Sequence, residues 1–116
     1  MCIRDSYTTA INFYKNISAD NERYNEAQSL LGHAYYEKKA YTEAISQFEK
    51  VAAVGDIRYK DQAEFYQLLS YVGNDQQDAN FDSLMNKLLD DKGHPYHQKA
   101  KDLNSGLNNW LRQLLH

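Results

Sequence analysis

The chain has 116 residues, 42% of them hydrophobic and 25% charged, with 13 Lys and Arg against 16 Asp and Glu for a formal net charge of −3. That size and mix fit one compact domain or a short repeat array and exclude wholesale disorder. No apolar run approaches the roughly 20 residues that span a bilayer, the scattered cations exclude a basic stripe for nucleic acid, and a single cysteine, Cys2, excludes both a disulfide framework and a thiolate zinc site.

The opening MCIRDS differs in character from the rest of the chain. Back-translated as ATG TGT ATA AGA GAC AG plus one base, it reproduces the end sequence of transposase-based sequencing libraries, so residues 1–6 are expected to be non-native and are set aside from fold reasoning. On that reading the natural chain extends upstream of Met1. Residues 7–20 then form an orphan helix, Tyr7 to about Ser18, which is the second half of a hairpin whose first half is missing. Asp20 and Asn21 suit the turn after it, because their side chains can satisfy free backbone groups.

Residues 24–57 read as a complete helical hairpin. Tyr24, Ala27, Leu30, Leu31, Ala34 and Tyr35 recur at steps of three and four, as do Tyr41, Ala44, Ile45, Phe48, Val51 and Ala52. Each set is the apolar stripe of an amphipathic helix rather than the alternation of a strand. Gly55 is placed to end the second helix in the left-handed conformation, and Asp56 to cap the next one. Adding 34 to Tyr7, Ala10, Ile11, Tyr14 and Ile17 lands on Tyr41, Ala44, Ile45, Phe48 and Val51, so YTTAINFYKNI and YTEAISQFEKV are one segment repeated.

A 34-residue period is that of tetratricopeptide repeats. The central unit resembles that family at Leu31, Gly32, Tyr35, Ala44 and Phe48. It departs from the pattern at Gln28, Val51 and Asp56, where the family has tryptophan, alanine and proline. The resemblance implies an all-α, right-handed α-solenoid of antiparallel helix hairpins. Small Gly32 and Ala44 would let two helices approach while Tyr35 and Phe48 fill the space around them. One hairpin cannot bury its face alone, so neighbours must stack.

Residues 58–91 form a degenerate third unit. Its first helix, about Ile57 to Tyr71, carries Tyr59, Ala63, Phe65 or Tyr66, and Leu69 inward, and Gly73, Asn74 and Asp75 mark its stop. Its second helix has Phe81, Leu84, Met85, Leu88 and Leu89 on one stripe. At 34-residue spacing Tyr66 replaces Gly32 and Asp82 replaces Phe48, so the pattern has slipped. Residues 95–115 then make a last helix with Pro95 at its first position and a stripe through Tyr96, Ala100, Leu103, Leu107, Trp110 or Leu111, and Leu114. The stretch HPYHQKA resembles the C-terminal end of many bacterial tetratricopeptide proteins. This helix is expected to cap the array, with Trp110 as its largest buried surface; an exposed seam for a partner helix is the other reading.

Catalysis has little support, since no nucleophile elbow, HExxH or Gly-rich phosphate loop is present. No enzyme activity, cofactor or metal is expected. His94 and His97 with Asp90 and Asp91 are the one grouping of metal-ligand type, and their spacing favours capping and surface roles. The family resemblance implies a concave groove lined by first helices. It places Glu26, Ser29, His33, Tyr36 and Glu37 there from the central unit, and Lys60, Ala63, Gln67, Ser70 and Tyr71 from the next. Tyr36 and Tyr71 are the expected anchors. Ser29 and His33 stand where chaperone-binding members have Lys and Asn, so a chaperone-tail clamp is not expected; Glu26 and Glu37 suit basic or neutral peptides. The reading is a protein or peptide interaction scaffold, with a structural spacer or self-association module of a larger, membrane-anchored protein as the alternative.

Overall fold

The computed structural model describes the backbone of residues 3–115 and the side chains of residues 6–107. These residues form six α-helices and, among them, no strand: α1 (Ile3–Lys15), α2 (Tyr24–Glu37), α3 (Tyr41–Val54), α4 (Lys60–Gly73), α5 (Ala79–Asp90) and α6 (His97–Leu115). Each helix packs on the next through α4, α5 packs on α4 and α6, and α2 also touches α4. Overall extents of 49 × 36 × 20 Å leave a slab about two helix diameters thick. No helix of the described residues is long and apolar enough to cross a membrane.

Helix α1 departs from its expected bounds. It begins four residues before Tyr7 and ends three before Ser18, so residues 3–6 of the MCIRDS stretch have helical backbone. The side chain of Trp110 lies outside the described residues.

The core of the central hairpin is built as its residue sizes require. Ala44 and Phe48 are fully buried, and a Cβ placed on Gly32 would stand 2.7 Å from the Phe48 ring. Only the missing side chain admits that contact, and filling it would overpack the site. Gly55 ends α3 with φ 79°, in the left-handed region that glycine adopts without a Cβ penalty.

Both α2 and α4 end differently, without glycine at the critical place. Lys39 (φ 67°) and Asp75 (φ 52°) occupy the left-handed position. In each case the backbone N–H two residues beyond the helix cap bonds back to a carbonyl five residues earlier, Ala40 to Tyr35 and Gln76 to Tyr71. This is the Schellman arrangement that satisfies the last carbonyls of a helix. Gly73, expected to help stop α4, serves close approach instead: a Cβ there would meet the Tyr41 ring at 2.5 Å.

The matching ends expose a change of register. Lys60 starts α4 36 residues after Tyr24 starts α2, and Asp75 follows Lys39 by the same 36. The two extra residues fall between the start of α3 and the start of α4, a stretch that ends in the turn at residues 55–59. There the Asp56 carboxylate accepts from the Arg58 backbone N–H at 3.1 Å and pairs with its guanidinium at 2.8 Å. Tyr66 therefore corresponds to Leu30, and Leu68, fully buried, corresponds to Gly32. In α5, Asp78 caps the helix by accepting from Asn80 and Phe81 N–H, and Phe81, Met85 and Leu88 are buried with Phe65, Leu68, Tyr71 and Ala100.

Candidate functional site

At the seam of α2 and α4, five rings from α2, α3 and α4 meet edge to face. His33 lies 4.5 Å from Tyr66 and 5.2 Å from Phe48 between centroids, and Tyr36 lies 5.6 Å from Tyr66 and 5.9 Å from Tyr41. Such T-shaped pairs align the positive edge of one ring with the negative face of another. His33, Tyr36 and Tyr66 are all half-buried, and Glu37 beside them is exposed. Burial pushes the His33 imidazole below its ordinary value, against a hydrogen bond with Gln62 and the charge of Glu37. Burial likewise pushes the Tyr36 hydroxyl up.

The groove residues expected from sequence divide sharply. His33, Tyr36 and Glu37 sit together at this seam, while Glu26 is tied to Arg23 by an ion pair of 2.8 Å at the other end of α2. Ser29 is buried, and Lys60 is half-buried at the start of α4. Gln67, Ser70 and Tyr71 lie away from the seam: all three are buried, Ser70 completely, and Ala63 joins the core around Phe48. Gln67 and Tyr71 border a polar depression between α3 and α5 with Glu49, Asn80 and Lys87, and Tyr71 packs on Phe81.

The cause is the register change. A two-residue slip turns a helical position by about 200°, onto the opposite face. Projected from His33 and Tyr36 at 36 residues, the corresponding positions of α4 are Leu69 and Val72, both half-buried and packed on the cluster around Leu68 and Leu88. Projection from Glu26 gives Gln62, half-buried on α4 and close enough to His33 to oppose the effect of its burial. Sequence reasoning missed Gln62, and it placed Tyr66 merely inward. A large ring standing where the 34-residue pattern has glycine was the available signal, since it must project toward a neighbouring helix.

A second cluster lies on the other side of α4. Glu64, 2% exposed, pairs with the Lys87 ammonium and stands 3.3 Å from His94 Nε2, which is also 3.3 Å from Asp61. His94 therefore turns to α4 rather than to Asp90 and Asp91, and His97 Nδ1 lies 3.0 Å from the Leu88 carbonyl. Asp61, Glu64 and His94 are residue types that hold metals, so the wiring decides. The Tyr96 backbone N–H donates to His94 Nδ1 at 3.1 Å, which makes Nδ1 the acceptor and puts the ring proton on Nε2, facing the carboxylates. A metal would need that Nε2 lone pair and would have to compete with Lys87 for Glu64. The set is a polar clasp joining α4 to α5 and to the turn before α6.

Comparison with known proteins finds no match among protein families, curated proteins or solved structures.

Proposed function

We propose that the chain is a tetratricopeptide-like, right-handed helical array, capped by its last helix, that binds a segment of another protein on the face where α2 and α4 meet. Two features support the architecture. The same apolar motif recurs in α1 and α3 at 34 residues, and α2 and α4 touch directly. The observation that carries the function is the seam itself, where half-buried His33, Tyr36 and Tyr66 are flanked by exposed Glu37. Rings packed by their edges, with a carboxylate beside them, suit a basic or apolar side chain of a docked segment. The chain's role is recognition, with no chemistry of its own.

The test is panning of a random peptide display library on the immobilised chain. Enrichment of peptides carrying Lys or Arg is expected, with affinity falling about tenfold on Tyr36→Ser and more modestly on the surface change Glu37→Lys. No enrichment, or peptides indifferent to both changes, would remove the proposal.

A further inference from the structure

Gln28, Val51 and Asp56, the three positions at which the central unit departs from the tetratricopeptide pattern, come together in space. With Tyr24, Lys50 and Tyr59 they line a cleft of about 80 Å³ between α2, the end of α3 and the turn into α4. Gln28 stands where the pattern has a tryptophan. A slender amide in place of a bicyclic ring leaves room, which the close packing of protein interiors otherwise makes uncommon. All the walls of the cleft come from consecutive elements of the chain.

The hydrogen bonds already made decide what the cleft can offer. Asp56 Oδ1 accepts from the Arg58 backbone N–H and from Arg58 Nε, both at 3.1 Å. Its Oδ2 accepts from Arg58 Nη2 at 2.8 Å and from Asn25 Nδ2 at 3.2 Å. These bonds fill the roughly four acceptor sites of a carboxylate, and the Arg58 guanidinium above all holds the carboxyl well below the usual carboxylate range. Gln47 Nε2 donates to the Gln28 backbone carbonyl at 3.0 Å and to Gln28 Oε1 at 2.8 Å. A group that donates to a carbonyl must be the amide N–H2, so the side-chain oxygen of Gln28 is turned to Gln47 and its own N–H2 is the end left over. Lys50, exposed, adds an ammonium, and the Arg58 guanidinium lies 5.0 Å from the centre of the Tyr59 ring. What Gln28 and Lys50 present to a ligand is therefore hydrogen-bond donors, with two cations against the single Asp56 carboxylate, beside apolar Val51, 5% exposed.

We infer that this cleft binds a single-ring aromatic carboxylate, its ring entering between Tyr24 and Tyr59 onto Val51 and its carboxylate accepting from the Gln28 N–H2 and the Lys50 ammonium. Size limits the body of the ligand. An apolar cavity of about 150 Å³ takes up benzene whole, so this cleft admits the leading part of one ring, and the rest lies against Val54, 63% exposed at the mouth. The two half-buried tyrosines can pair with an aromatic guest by edge or offset face. Charge selects the head group. An amine would meet Lys50 and Arg58, and a plain hydrocarbon would cover the Gln28 donor without satisfying it. The inference does not rest on the seam of α2 and α4, and peptide binding at Tyr36 can fail while this stands.

Phenylacetate is titrated into the full chain and followed by amide chemical shifts in two-dimensional NMR. Saturable shifts are expected in residues 24–28 and 50–59, and acetate, which lacks the ring, should leave them unmoved. Lys50→Ala, a change at an exposed position, should weaken binding about fivefold. Phenylacetamide, with the ring kept and the charge removed, should bind the unaltered chain about as weakly as phenylacetate binds that variant. Gln28→Trp fills the cleft from within and should abolish binding while the melting temperature holds or rises; should that variant unfold, the Lys50→Ala and phenylacetamide titrations still decide. No saturation below about 10 mM, shifts matched by acetate, or binding indifferent to both Lys50→Ala and the loss of charge overturns the proposal.

Discussion

The hairpin α2–α3 and the hairpin α4–α5 hold the same architecture by different means. In the first, a helix backbone bare at Gly32 receives the ring of Phe48, and the contact is wholly apolar. In the second, bulky Leu68 takes the place of Gly32, the stripe of α5 has moved to Phe81, Met85 and Leu88, and a buried Glu64 is held by Lys87 and His94. The first device depends on shape. The second tolerates a shifted pattern because a carboxylate with several donors fixes the neighbouring elements. Stacking helices can thus outlast the residue pattern that first specifies them.

Phe48→Ala should break the first device with the largest effect. It empties a fully buried position and is expected to cost about 3–5 kcal/mol in chemical denaturation. A cost under about 1 kcal/mol would mean that the Gly32 contact is not the centre of that hairpin.

Glu64→Ala should loosen the second device at about 1–3 kcal/mol, since it removes the shared acceptor of Lys87 and His94 while Lys87, largely exposed, can return to water. Hydrogen exchange should quicken first in the turn before α6. Uniform quickening across α2 and α3 instead would show that the clasp is not local.

The smallest effect concerns acid. Hydrogen bonds to Asp78 from Gln76 and from the Phe81 N–H hold its carboxyl below the usual carboxylate value. The folded chain therefore binds that proton more weakly than the unfolded one. The stability contributed is complete above about pH 4 and fades as pH falls through the depressed value. Asp78→Asn keeps a capping oxygen but cannot titrate in this range, so its melting temperature should fall less between about pH 7 and about pH 3 than that of the unaltered chain. Equal losses in circular dichroism melts would show that the α5 cap carries no acid sensitivity.

The candidate seam was half legible in the sequence. His33, Tyr36 and Glu37 follow from positions within one unit, where helical spacing is sufficient. Their partners on α4 did not follow, because projecting by 34 residues assumed a turn of constant length. The stretch from Tyr41 to Lys60 is two residues longer than its counterpart from Tyr7 to Tyr24, and Gln67, Ser70 and Tyr71 rotate into the interior. The His94 clasp was equally hidden, since its members stand 30 and 33 residues apart and no periodic pattern links them.

By itself the sequence determined that the chain is helical, where its apolar stripes lie, and which small residues would meet large ones, because these depend on spacing within a helix or across one short turn. The tertiary structure alone decided which face of α4 looks outward and which carboxylates His94 meets. Each of these depends on the rotation and seating of one helix against another, and a change of two residues in the spacing of two helices is enough to reverse it.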